Sequence, residues 1–247
     1  DKFNLKELGI KLQEKQTIAE DDKMAAGRDF SGNAYTEYIL PEEKIGEQLP
    51  KTEHAMYKKG KEIELKDEND TEVLANVVSS YFNRTWEHFC SHRQTPSSGE
   101  IDYPGIVQKN NCIYFAHPIF TQYNKNAPKW CKTMLLNAVD MLLEAPILTH
   151  DGPSTVTTAV NRQSEQDRWV IHLLNYIPER RSEDIDIIED VIPLYKIKVS
   201  LKVPEKVKEV TTAPEGDSLY FDEKDDRIEF VLPKLEGHQM IAVTYDK

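Results

Sequence analysis

The chain has 247 residues, 39% hydrophobic and 30% charged, with a mean hydropathy of -0.61, which suits one large or two ordinary globular domains and excludes a peptide module. Thirty-one Lys and Arg against 43 Asp and Glu give a formal charge of -12, which repels phosphate backbones and anionic lipid, so neither nucleic acid nor a membrane surface is an expected partner. No apolar stretch approaches the roughly 20 residues needed to cross a bilayer; the densest, residues 134–148, is broken by Asn137, Asp140 and Glu144.

The sequence starts at Asp1 with no leader pattern behind it, and so reads as a processed product or a portion of a longer chain. Leu5 and Leu8 predict a short helix or turn, followed by a brief strand and a polar loop. Tyr35, Tyr38, Ile39 and Leu40 predict an extended segment that Pro41 ends by restricting its predecessor. Residues 42–49 fit one or two helical turns, and the charged stretch 58–70 reads as a surface excursion. Two short apolar runs, 72–78 and 111–116, predict buried strands, the second entered through the turn formers Lys109 and Asn110. Trp130, Met134, Leu135, Ala138, Met141 and Leu142 recur at helical spacing behind Pro128, which predicts a long helix over 127–143. Strand followed by helix gives an α/β domain over residues 1–149.

Beyond Pro146 the pattern changes to seven short runs of β-formers, 155–160, 169–174, 195–203, 207–213, 218–221, 227–232 and 238–245, most of them separated by turn residues. In residues 196–203 strict alternation puts Ile197, Val199, Leu201 and Val203 on one face and leaves the other to water. Strands at this pitch without helices predict an antiparallel β-sandwich over residues 150–247.

The densest chemical constellation is Asn83-Arg84-Thr85-Trp86-Glu87-His88-Phe89-Cys90-Ser91-His92-Arg93. His88 and His92, four apart, would share a helix face as half of a metal site. Zinc would need a further ligand, and Glu87 stands before the first His rather than between the two. The preferred reading is a polar loop whose side chains meet another domain, and neither metal nor cofactor is assigned. Cys90 has His88 and His92 where a nucleophile elbow needs small residues, so no cysteine nucleophile is assigned, and Cys131 reads as packing. Three cysteines are too few for a disulfide scaffold and leave open a cytoplasmic, periplasmic or secreted home for a soluble chain. Arg180 and Arg181, beside the acidic run 183–190, suit a loop making ion pairs between domains or subunits. Those acids read as a solvated loop, so no catalytic carboxylate pair is assigned.

Several strings resemble one family: residues 81–92, Ile113-Tyr114-Phe115-Ala116, Pro118-Ile119-Phe120, His150-Asp151-Gly152-Pro153-Ser154, and residues 172–181 from His172 to Arg181. Together they look like the C-terminal region of bacterial β-galactosidase-type glycoside hydrolases with a trimerisation domain. In that family a catalytic TIM barrel precedes a glutamine-amidotransferase-like, flavodoxin-like α/β domain, and a β-sandwich closes the chain. The resemblance implies a partial amidotransferase-like layer over 1–149 followed by the sandwich, with no catalytic residue in this stretch. It also implies a homo-oligomer, a trimer by analogy, working with a catalytic barrel of the same parent chain or of a partner chain. Arg84, Trp86, His88, His92 and Arg93 are then the candidate subunit interface or active-site wall, and Arg180 and Arg181 the inter-domain loop. The alternatives are a carbohydrate-binding module that holds a glycan on exposed aromatics, and an independent metal-dependent hydrolase using His88 and His92.

Overall fold

A computed structural model describes residues 8–13, 37–66, 70–82, 95–143 and 145–246. The chain divides into two compact units, Asp1–Glu144 and Ala145–Lys247. The structure is mainly β, with two α-helices among the described residues.

In the first unit β1 (Ile10–Leu12), β2 (Glu37–Pro41), β3 (His54–Met56), β4 (Ile63–Leu65), β5 (Glu72–Ser80), β6 (Ser97–Lys109) and β7 (Cys112–Phe115) precede α1 (Ile119–Asn126) and α2 (Lys129–Leu142). Five strands form one sheet in the order β3-β2-β5-β6-β7, and β1 pairs with β4 as a separate ribbon. Every one of these pairs is antiparallel. That differs from the expected flavodoxin-like layer, whose strands would run parallel. The local cause is visible at β6 and β7, joined by Asn110 and Asn111 alone, with Asn110 at φ 51. A two-residue turn joins only antiparallel neighbours, and Asn tolerates the left-handed conformation it needs.

One face of this sheet packs on the helices through Ile39, Leu74, Ile106, Cys131, Met134 and Ala138. The other covers the ribbon through Ile10, Ile63, Val77, Tyr103 and Val107. Helix α2 sits behind Pro128, as the sequence predicts, and is anchored near its start and at its middle. Trp130 Nε1 donates to Ala55 O at 3.1 Å, and Asn137 Nδ2 donates to Ile45 O and Glu47 O at 3.0 and 2.9 Å.

Several strands escape sequence reading, among them β3, β4 and β6. The interior strand β6 contains Gly99, Pro104 and Gly105, residues that weaken a strand; its pairing with β5 shifts register repeatedly, and such bulges accommodate a proline that has no N–H to give. The polar stretch 58–70 is not wholly surface either, since it carries β4, whose Ile63 is fully buried.

The second unit is a β-sandwich, as its alternating runs predict. Its strands are β8 (Leu148–His150), β9 (Val156–Gln163), β10 (Arg168–Asn175), β11 (Glu179–Arg180), β12 (Asp186–Ile187), β13 (Leu194–Lys202), β14 (Val207–Ala213), β15 (Phe221–Lys224), β16 (Arg227–Leu235) and β17 (Gly237–Tyr245). One four-stranded sheet runs β14-β17-β10-β9 and the other β15-β16-β13-β8, all antiparallel, with β11 and β12 forming a hairpin arm. Ile171, Leu173, Ile241 and Val243 of the first sheet and Val199, Leu201, Ile228, Phe230 and Leu232 of the second share one core. Leu148–His150, which straddles the 149/150 boundary expected from sequence, is an edge strand of this second unit.

Candidate functional site

Arg84, Trp86, His88, Cys90, His92 and Arg93 lie outside the described residues, but both flanks of that segment are in place. Tyr81 N donates to Pro96 O at 2.8 Å, Thr95 Oγ1 to Phe82 O at 3.1 Å, and Tyr38 OH to Thr95 O at 2.7 Å. The segment therefore leaves from and returns to adjacent ends of β5 and β6, where Ser80 pairs with Ser97. Arg180 and Arg181 spend their charges inside their own arm. Arg180 grips Asp186 with Nε to Oδ1 at 2.5 Å and Nη2 to Oδ2 at 3.2 Å across the hairpin, and Arg181 pairs with Glu179 and Glu189.

The most concentrated chemistry is a buried cluster that sequence reading did not single out. Glu37, 2% exposed, opens β2 and gathers three donors on one oxygen: Gly60 N at 2.9 Å, Tyr103 OH at 2.8 Å and His117 Nε2 at 2.9 Å from Oε2. Lys59 Nζ lies 3.6 Å from Oε1, near enough for attraction and too far for a good hydrogen bond. Burial by itself would raise the Glu37 pKa, but the His117 hydrogen bond and charge, with the Gly60 and Tyr103 bonds, outweigh it and hold the carboxyl below its ordinary value. The carboxyl is thus an ionised acceptor, to which His117 Nε2 donates. Partial burial and then the Glu37 charge push Asp102 up, and the same two causes, with the hydrogen bond to Glu37, push Tyr103 far up.

The cluster pins four segments, β2, the loop before β4, β6 and the exit from β7, so its first role is to lock the sheet. The loop approaches so closely that a Cβ on Gly60 would lie 2.7 Å from Tyr103 OH and 3.2 Å from the Ala116 carbonyl group. Gly60→Ala is therefore expected to displace the phenol from Glu37 and cost about 1–3 kcal/mol, read as a lower urea midpoint. An unchanged midpoint would show that the loop yields without loss.

Beside the cluster lies a groove of about 510 Å³, walled by β7, α1 and α2 and including Phe115, Phe120, Leu135, Val139 and Leu142. His117 also lines it; its side chain is 1% exposed, and the buried Nδ1 has no hydrogen-bond partner among the described residues. A mostly apolar concavity with few polar groups in its lining is suited to receive an apolar side chain or small apolar body. Helix α2 shows why the groove is unfinished. Cys131, Met134 and Ala138 face the core, while Leu136, Val139 and Leu143, at the same spacing, form a second, exposed stripe, Leu136 being 50% exposed. Phe120 on α1 is 71% exposed.

Among the described residues no three His, Cys, Asp or Glu side chains come together as a metal site, and no helix is long and apolar enough to cross a membrane. Cys131 is buried and its thiol is pushed up to about 11 by that burial, which fits packing rather than reactivity.

No protein-family model matches the sequence, and no curated protein does. Among solved structures, alpha-L-fucosidase isoenzyme 2 from Paenibacillus thiaminolyticus is similar with a TM-score of 0.83 and 30% identity over 97% of this chain. The likeness is to a glycoside hydrolase-type domain. The chain spans 34% of that fucosidase, so it corresponds to a block of the larger protein. A cold-adapted beta-galactosidase from Rahnella sp. R3 is similar over 96% of this chain and 24% of its own, with 12% identity and a TM-score of 0.46, too low a likeness to carry an argument.

Proposed function

We propose that this chain is an accessory, non-catalytic portion of a glycoside hydrolase-type protein, in which the first unit makes assembly contacts and the sandwich is a structural module. The observation that carries the reading is the match of nearly the whole chain, at a TM-score of 0.83, to about a third of an α-L-fucosidase. An α-L-fucosidase is accordingly the preferred parent activity. The site chemistry agrees. Glycoside hydrolysis needs two carboxyl groups open to the bond they flank, whereas Glu37 is buried and its Oε2 is saturated by the fold's own donors.

The second apolar stripe of α2 supports the assembly part, since a helix that is apolar on opposite faces is normally covered on both. A partner subunit, a trimer in the preferred arrangement, would seat an apolar side chain in the groove and offer His117 Nδ1 a hydrogen bond. The segment 83–94, with Arg84, Trp86, His88, His92 and Arg93, is the accompanying candidate wall.

The test is direct. The purified chain is expected to leave aryl α-L-fucosides and β-galactosides intact and to sediment as an oligomer. Leu136→Glu with Val139→Glu is expected to shift it to monomer while circular dichroism stays unchanged. Turnover of a glycoside by the chain alone, contaminating enzyme excluded, would overturn the non-catalytic reading. A monomeric wild type, or an oligomer indifferent to both charges, would overturn the assembly surface.

A further inference from the structure

The second unit carries a cleft of about 740 Å³ on the outer face of the β15-β16-β13-β8 sheet. Register builds its floor. Ser200 stands opposite Thr149 on one side and Glu229 on the other, and Glu229 stands opposite Asp222, so four polar side chains form one row across four strands. Lys198 and Val231 face each other in the next row. Tyr220, 82% exposed, lines the cleft just before β15, and its OH donates to Asp222 Oδ1 at 2.9 Å, which restrains the ring.

Elsewhere on this sheet several charged side chains are paired. Lys202 meets Asp226 at 2.9 Å, Lys234 meets Glu236, and Arg227 bonds Ser200 Oγ and O and the Pro146 carbonyl. Inside the cleft the side chains of Glu229, Lys198 and Thr149 make no hydrogen bond or ion pair among the described residues. Unspent donors and acceptors thus line a concave surface beside a restrained, exposed tyrosine.

The chemistry of the lining selects the ligand. Asp151, Asp222 and Glu229 against the single Lys198 disfavour an anion. Carboxylates accept hydroxyl protons, Lys198 and Thr149 donate to hydroxyl oxygens, and a tyrosine ring offers a flat apolar face with a polar edge. A sugar ring carries that complement: an apolar C–H face and a rim of hydroxyls. We infer that this cleft binds a neutral saccharide, its ring stacked on Tyr220 and its hydroxyls shared among Glu229, Asp222 and Lys198. The inference stands apart from the assembly reading, because it concerns the other unit and a different surface.

Titration calorimetry of the whole chain against neutral galacto-, gluco- and fuco-configured oligosaccharides tests it. At least one is expected to bind, with Tyr220→Ala weakening it about tenfold, the loss of one aromatic contact, and Glu229→Gln weakening it less. Tyr195→Ala, at an exposed tyrosine that does not line the cleft, is expected to bind as wild type does. No binding of any of the three at about 10 mM, affinity indifferent to Tyr220→Ala in a normally folded variant, or binding confined to anionic saccharides would each overturn the inference.

Discussion

Glu37→Ala is expected to cost the first unit about 3–5 kcal/mol, the range found when one member of a buried charged cluster is removed and its partners stay behind. Gly60 N, Tyr103 OH and His117 Nε2 lose their shared acceptor at once, and Lys59 loses its counter-charge. Glu37→Gln keeps the shape and one acceptor oxygen but not the charge, so it is expected to fall between the two. Denaturant midpoints of the three proteins measure the series; a Glu37→Ala variant within about 1 kcal/mol of wild type would show that water or repacking replaces the carboxylate.

The same carboxyl sets a pH dependence with a definite sign. Its folded-state pKa lies below the ordinary value of 4.5, so the stability it supplies is fully present above that value. As acid protonates the folded carboxylate, that contribution is lost. The gap in stability between wild type and Glu37→Gln is therefore expected to be constant near neutrality and to shrink below pH 4.5. A gap that does not change between neutral and strongly acidic solution would mean that Glu37 is not ionised in the fold.

Phe230→Ala is the counterpart in the sandwich and is expected to cost about 3–5 kcal/mol through lost burial and the cavity left behind. Phe230 is 3% exposed, stands opposite both Val199 and Phe221, and lies beneath the cleft that Tyr220 borders. Faster amide exchange along residues 194–202 would report the loss, since those amides bond the strand that carries it. A cost below about 1.5 kcal/mol would mean that the two sheets close over the gap.

The Glu37 cluster and the cleft share a reason for being hard to read in advance. Glu37, Lys59, Gly60, Tyr103 and His117 are spread over some eighty positions, Glu37 and His117 being 80 apart, and no spacing rule links them. A lone glutamate opening a strand looks like surface until the fold closes over it. The one available signal was Tyr35 to Pro41 as an extended apolar segment, which places Glu37 in a strand without showing that it is buried. The row Thr149, Ser200, Glu229 and Asp222 likewise exists only through cross-strand register.

Local pattern was enough for the longer sandwich strands, because alternation in a half-buried strand is written residue by residue and survives any topology; it missed the short β8, β11 and β12 and put 218–221 where β15 runs Phe221–Lys224. It was enough also for α2, whose apolar spacing and preceding Pro128 are local signals, and for a turn at Asn110, though Lys109, expected in that turn, belongs to the strand. The antiparallel order of the first sheet, the strand made from Ser97–Lys109 despite its glycines and proline, and the burial of Ile63 amid charge were settled by packing. Those features depend on partners far away in the chain, where pairing and exclusion of water outweigh the preference of any short stretch.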